Sequence, residues 1–76
     1  MSENATIKVQ ADISVSSRDL DLVTMIANDM RSKDISLETG VNLRTVEQRI
    51  FAIRKKYRVK TLPGLVSLFY KHGLLN

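Results

Sequence analysis

Residues 41–60, VNLRTVEQRIFAIRKKYRVK, decide how this chain folds. Within them Val46, Ile50, Ile53 and Tyr57 recur at i, i+4, i+7 and i+11, and at about 100° per residue they fall within about 60° of one another on a helical cylinder. Such a stripe has to face a core. Arg44, Glu47, Gln48, Phe51, Lys55 and Arg58 lie on the far side, and Asn42 stands where a helix wants a capping side chain. From residue 42 to residue 60 there are seven Lys or Arg against one acid, Glu47. The segment reads as a capped amphipathic helix with a basic outer face.

The rest of the chain does not share that charge. Residues 1–30 carry −3, 31–41 carry none, 42–60 carry +6 and 61–76 carry +1, so the net +4 of the 76 residues comes from one element. Positive charge gathered on one helix points to a polyanionic partner. A chain of this length makes one domain with one small core, for which three or four short helices suffice. Having no cysteine, it has neither a disulfide frame nor a thiolate metal site, as suits a reducing cytosol. No run reaches the roughly 18–20 apolar residues of a membrane span, and residues 1–30 show no basic stretch followed by an apolar one. A soluble cytoplasmic protein with no membrane partner is expected.

On the N-terminal side, residues 6–15, TIKVQADISV, alternate apolar and polar, which is a strand pattern. Nothing later in the chain offers it a second strand. The reading leaves three uses open: an extended arm packed on the helices, a linker, or a strand that pairs with another copy of the chain. Ser16 then caps a first helix over about residues 17–29, with Asp19 placed to reach back, Val15 and Leu20 as a hydrophobic staple, and Leu22, Val23, Ile26 and Ala27 inward. Ser32 is expected to cap a second helix ending near Thr39, with Ile35 inward, and Gly40 to make the sharp turn into the third. On the C-terminal side Thr61 and Pro63 open a fourth helix, with Leu62, Leu65, Val66 and Phe69 on its core face and Gly73 closing it. Leu68 is expected off that face, where it suits a symmetric contact between two copies.

The chain carries no visible catalytic apparatus. His72 is the only histidine, and its neighbours Lys71 and Gly73 supply no base, nucleophile or orienting carboxylate. Paired carboxylates, a glycine-rich phosphate loop and metal-ligand spacing are likewise missing from the sequence. A non-enzyme without cofactor or metal is expected.

Two helices joined by a glycine turn, the second with surplus positive charge, are the pattern of a helix-turn-helix whose second helix enters the major groove. At this point the residues resemble the LuxR-type helix-turn-helix domain, the output module of many bacterial response regulators and quorum sensors. That family opens with L-T-x-R-E-x-x-V-L-x-x-I-A, to which residues 15–27, VSSRDLDLVTMIA, are similar in phase. It continues with K-E-I-A-x-x-L-x-I-S-x-x-T-V-K-x-H, and Lys33-Asp34-Ile35-Ser36 and Val41-Asn42-Leu43-Arg44-Thr45-Val46-Glu47-Gln48-Arg49 stand in register with it. Lys56-Tyr57-Arg58-Val59 and His72-Gly73-Leu74-Leu75 resemble its K-L-x-V and terminal G-L stretches. The likeness runs over about residues 15–75 without a gap. Asp29 stands where the family usually has glycine, Thr39 where it has leucine, and Glu47 where it has a lysine that touches DNA.

The resemblance implies an all-α fold: a four-helix LuxR-type domain at residues 15–76, preceded by a strand-like arm or linker at residues 1–14. It further implies a bacterial transcription regulator that binds double-stranded DNA as a dimer, with RNA polymerase as a further partner; the unpaired alternation of residues 6–15 and Leu68 point to a homodimer that is weak without DNA. Lys33, Thr45 and Arg49 would then contact phosphates, Gln48 would pair with adenine N6 and N7, and Arg44 would reach a guanine or a phosphate, with Lys55 further along the same face. Glu47 would either accept from cytosine N4 or pair with Arg44 or Arg54 inside the helix. Phe51, about 140° from the centre of the core stripe by the helical period, has three uses open to it: a thymine methyl, a neighbouring subunit, or a local groove. Two other readings compete. TVEQRIFAIRKKYR also resembles the T-V-x-x-R-L-x-x-A-R-x-K-L-R of promoter-reading sigma-factor domains, and a degenerate helix-turn-helix that captures another regulator would account for Glu47 and the arm.

Overall fold

Helix ends leave backbone groups open, and the side chains that close them set the element boundaries. The computed structural model describes residues 6–9 and 13–75, in the order β1 (Thr6–Val9), β2 (Ile13–Ser16), α1 (Ser17–Ala27), α2 (Ser32–Thr39), α3 (Leu43–Tyr57) and α4 (Leu62–Lys71). Three N-termini close as the sequence implies. Ser16 Oγ accepts from the Asp19 N–H at 3.1 Å, Asn42 Oδ1 from the Arg44 N–H at 2.8 Å, and Thr61 Oγ1 from the Gly64 N–H at 3.0 Å. At α2 the expectation is corrected: Ser32 is the first helical residue and Arg31 the cap. The Asp34 carboxylate reaches back to accept from the Arg31 N–H at 3.0 Å, and a negative acceptor in a first turn complements the helix dipole better than a neutral hydroxyl.

Three of the four C-termini share one device. After α1 the Asp29 N–H donates to the Ile26 carbonyl and the Met30 N–H to Met25; after α3 Arg58 donates to Lys55 and Val59 to Arg54; after α4 Gly73 donates to Tyr70 and Leu74 to Phe69. Each is a paired reverse closure around one left-handed residue, followed by an apolar residue that folds back on the core. Met30, Val59 and Leu74 are those apolar residues, all packed on the central cluster. Only the third closure uses glycine at the left-handed position; Asp29 (φ 68°) and Arg58 (φ 58°) adopt it with side chains. Asp29 thereby ends α1 at Ala27, short of the expected 29. Gly40, at φ 76°, makes the turn from α2.

The four helices form an all-α body in which α1 packs on α4, α2 on α3, and α3 on α4. Val15, Leu22, Val23, Ile35, Val46, Ile50, Ile53, Leu65 and Phe69 are its buried core. The stripe read from α3 is inside at Val46, Ile50 and Ile53, and Tyr57 ends it half-buried, its ring meeting Phe69 edge-on with centroids 5.6 Å apart. Lys56 reaches from α3 to Asp19 of α1 at 3.9 Å, so the Asp19 carboxylate serves the packing of two helices. On α4 two expectations are corrected. Leu68 is half-buried against the core rather than free of it, because it flanks the Leu65–Phe69 axis on one side as Val66 does on the other. Leu62, in the first turn, is exposed at the rim, and Tyr70 is the other exposed large apolar side chain of α4.

The N-terminal alternation is also corrected. It is not one strand without a partner: β1 and β2 pair with each other, antiparallel, in the register Thr6↔Ser16, Ile7↔Val15, Lys8↔Ser14 and Val9↔Ile13. This register joins residues of equal parity, so a single strict alternation satisfies both strands once the chain folds back. The expected arm at 1–14 falls partly outside the described residues. Val15, at the end of the ladder, is fully buried and ties the hairpin to the helices. Among the described residues, no helix is long and apolar enough to cross a membrane.

Two predictions follow from helix closure and packing. A side chain in the left-handed region crowds its own backbone and glycine does not, although glycine gives the unfolded chain more freedom. Asp29→Gly is therefore expected to stabilise by about 0.5–1 kcal/mol and Asp29→Val to destabilise by more than about 1 kcal/mol, read from urea midpoints. Burial, and after it the Asp19 charge, raises the Tyr57 phenol above its ordinary value of 10.0. Its contribution is complete below that ordinary value and is lost as pH rises through the folded one. As pH rises above about 10, Tyr57→Phe is expected to lose less stability than the wild type.

Candidate nucleic-acid interface

With Val46, Ile50 and Ile53 held inside, the opposite face of α3 has to be outside. Over its 15 residues, about 22 Å, the helix presents Arg44, Glu47, Gln48, Phe51 and Lys55 to solvent. Arg44, Glu47, Gln48 and Phe51 line one shallow depression. A second depression lies against it on the side toward α4, where Glu47, Phe51, Arg54, Lys60, Thr61 and Ser32 meet. Arg54 is fixed there by donating from Nη1 to the Lys60 carbonyl at 2.7 Å, which folds the chain after α3 back along its last turn. Arg54, Lys55 and Lys56 in that turn also complement the negative end of the helix dipole, so part of the basic character serves the helix itself.

Phe51 stands in the middle of this surface. It is 55% exposed, with the Arg54 guanidinium carbon 5.9 Å and the Lys55 ammonium 5.6 Å from its ring centroid. Glu47 makes no ion pair with Arg44 or Arg54 among the described residues, which corrects the intrahelical alternative; its carboxylate is an open acceptor on a basic face.

The other sequence candidates are more dispersed. Arg44, Gln48, Glu47 and Lys55 come together on α3. Lys33 is exposed on α2, and Thr45 is half-buried near the start of α3. Arg49 is half-buried and turned to α1, where with Arg18, Asp21, Leu22, Met25, Ile35 and Thr39 it lines a cleft of about 180 Å³. Thr39 lines that cleft with its hydroxyl turned to the backbone, donating to the Ile35 carbonyl at 2.7 Å and accepting from the Val41 N–H at 3.2 Å. Arg54 and Lys60 were absent from the sequence candidates. Arg54 stands three residues from Phe51 and seven from Glu47, so the helical period alone sets it on this face, whereas the place of Lys60 depends on the reverse closure at Arg58. No group of His, Cys, Asp or Glu capable of holding a metal ion occurs among the described residues.

The surface thus combines donors at Arg44, an amide at Gln48, an acceptor at Glu47, an apolar ring at Phe51 and a bank of cations. This is the repertoire that base edges and phosphates call for. Comparison with protein-family models, with curated proteins and with solved structures finds no match to this chain.

Because Phe51 lies outside the core, truncating it is expected to change stability by no more than about 0.5 kcal/mol, whereas Ile50→Ala, one residue away and buried, is expected to cost about 2–4 kcal/mol. Urea denaturation of the two variants checks the division between the faces of α3. An equal loss in both would make Phe51 a structural residue.

Proposed function

We propose that this chain is a transcription regulator that binds duplex DNA, with α2 and α3 as a helix-turn-helix of LuxR type and α3 as the element in the major groove. The observation that carries this reading is the exposed face of α3. It belongs to a segment of charge +6 in a chain of net +4, and it displays an amide, a carboxylate and an aromatic ring among its cations. A major groove about 12 Å wide admits one α-helix, and Lys33 on α2 is available for a flanking phosphate. Gln48 and Arg44 read base edges, Lys55 and Arg54 neutralise phosphates, and Arg49 has to leave its place against α1 to join them. The protein acts by binding, without catalysis, and two copies meet through α4, where Leu62 and Tyr70 stay exposed and Leu68 supports them from the rim of the core.

A protein-binding module is the second reading. Leu37, 78% exposed on α2, favours it, since duplex DNA offers little to an aliphatic side chain on an outer helix face.

Fluorescence anisotropy on duplex DNA over a salt series tests the proposal. Each neutralised phosphate releases counterions and adds about −0.9 to the slope of log affinity against log salt, so a steep slope is expected. Glu47→Lys removes a repulsive charge and should raise affinity on all sequences and steepen that slope, while Gln48→Ala should relax preference at one base pair by about 1–3 kcal/mol. Undetectable binding at low salt, or a flat slope, would leave the protein-binding reading in its place.

A further inference from the structure

The ring of Phe51 poses a problem of its own. In α3 the buried apolar residues are Val46, Ile50 and Ile53, yet Phe51 is 55% exposed in the middle of a face that also carries Arg44, Arg54 and Lys55. Arg54 and Lys55 bracket it at 5.9 and 5.6 Å from the ring centroid. Whatever covers this ring has to be apolar at the point of contact and negatively charged around it. Duplex DNA meets that description at one kind of position: the C5-methyl of thymine is the apolar group on the floor of the major groove, and phosphates line both sides. An acidic protein surface around an apolar pocket is the competing occupant.

Resting on the DNA-binding reading above, we propose that Phe51 determines specificity by packing on a thymine methyl, with Arg54 and Lys55 holding the ring upright and engaging the flanking phosphates. The placement of Gln48 sharpens this. Gln48 and Phe51 line the same depression, three residues and about 4.5 Å apart along the helix axis. Base pairs are spaced by about 3.4 Å, so the two side chains address base pairs no more than about two steps apart. The bound sequence contains a thymine for Phe51 next to, or one removed from, the pair read by Gln48.

The experiment uses the full chain and a duplex selected by it from a random pool. Each thymine of that duplex is replaced in turn by deoxyuridine, which removes the methyl and preserves every hydrogen bond. The expected result is one position in each bound site where the replacement weakens wild-type binding about fourfold, the effect of one methyl leaving an apolar contact. Phe51→Ala should bind the thymine and deoxyuridine duplexes equally, Phe51→Leu should retain part of the difference, and the sensitive position should lie within two base pairs of the preference that Gln48→Ala relaxes. If a sequence is selected but every thymine tolerates the change, or if Phe51→Ala keeps the full deoxyuridine penalty, the thymine contact is overturned while DNA binding stands. If no duplex is bound in a salt-dependent way, both fall together and the acidic protein partner gains.

Discussion

The burial of Val46, Ile50 and Ile53 against Ile35, Leu65 and Phe69 is the contact on which the rest of this molecule depends. A helix has one rotational freedom about its axis, and three buried side chains spaced by four and three residues remove it. Once the rotation of α3 is set, Arg44, Gln48, Phe51 and Lys55 have nowhere to go but outward. The candidate interface is thus a consequence of the core.

The ends of the helices show how so short a chain keeps four helices in place. Three of them finish in the same paired closure, and each closure drops one apolar residue, Met30, Val59 or Leu74, onto the core. For a small domain with few fully buried residues this doubles the use of each terminus: it satisfies backbone carbonyls and adds apolar contact. Two closures accept the strain of a side chain in the left-handed region. At Arg58 that strain coincides with placing a cation beside the basic face, while at Asp29 the structure offers no such compensation.

The electrostatics divide along the same line as the packing. Asp19 and Lys56 join α1 to α3 on the packed side, and Arg31 and Asp34 close α2 on themselves, so those charges are spent within the fold. Arg44, Lys55 and Glu47 on the open face have no such partner among the described residues. Glu47 is the feature that most distinguishes this surface from a uniformly basic helix, because it sets a directional acceptor among cations.

By itself the sequence determined the helices. The existence of four helices, the caps at Ser16, Asn42 and Thr61, the glycine turn at Gly40 and the inward stripe of α3 were all legible, since each rests on local hydrogen bonding or on a periodicity that one helix displays alone. Of the candidate site, Arg44, Glu47, Gln48 and Lys55 were legible as one face for the same reason. Tertiary structure decided what depends on a second element. The pairing of β1 with β2 hangs on where an alternating stretch folds back, which alternation does not specify. Whether Leu62 or Leu68 is covered depends on which neighbour reaches each end of α4. Arg49 lies on the flank of α3, and only the position of α1 turns it into a cleft, just as only the fold-back after Arg58 brings Lys60 beside Arg54 and Phe51. Periodicity places a residue on a side of its own helix, and the packing of the other helices decides what that side meets.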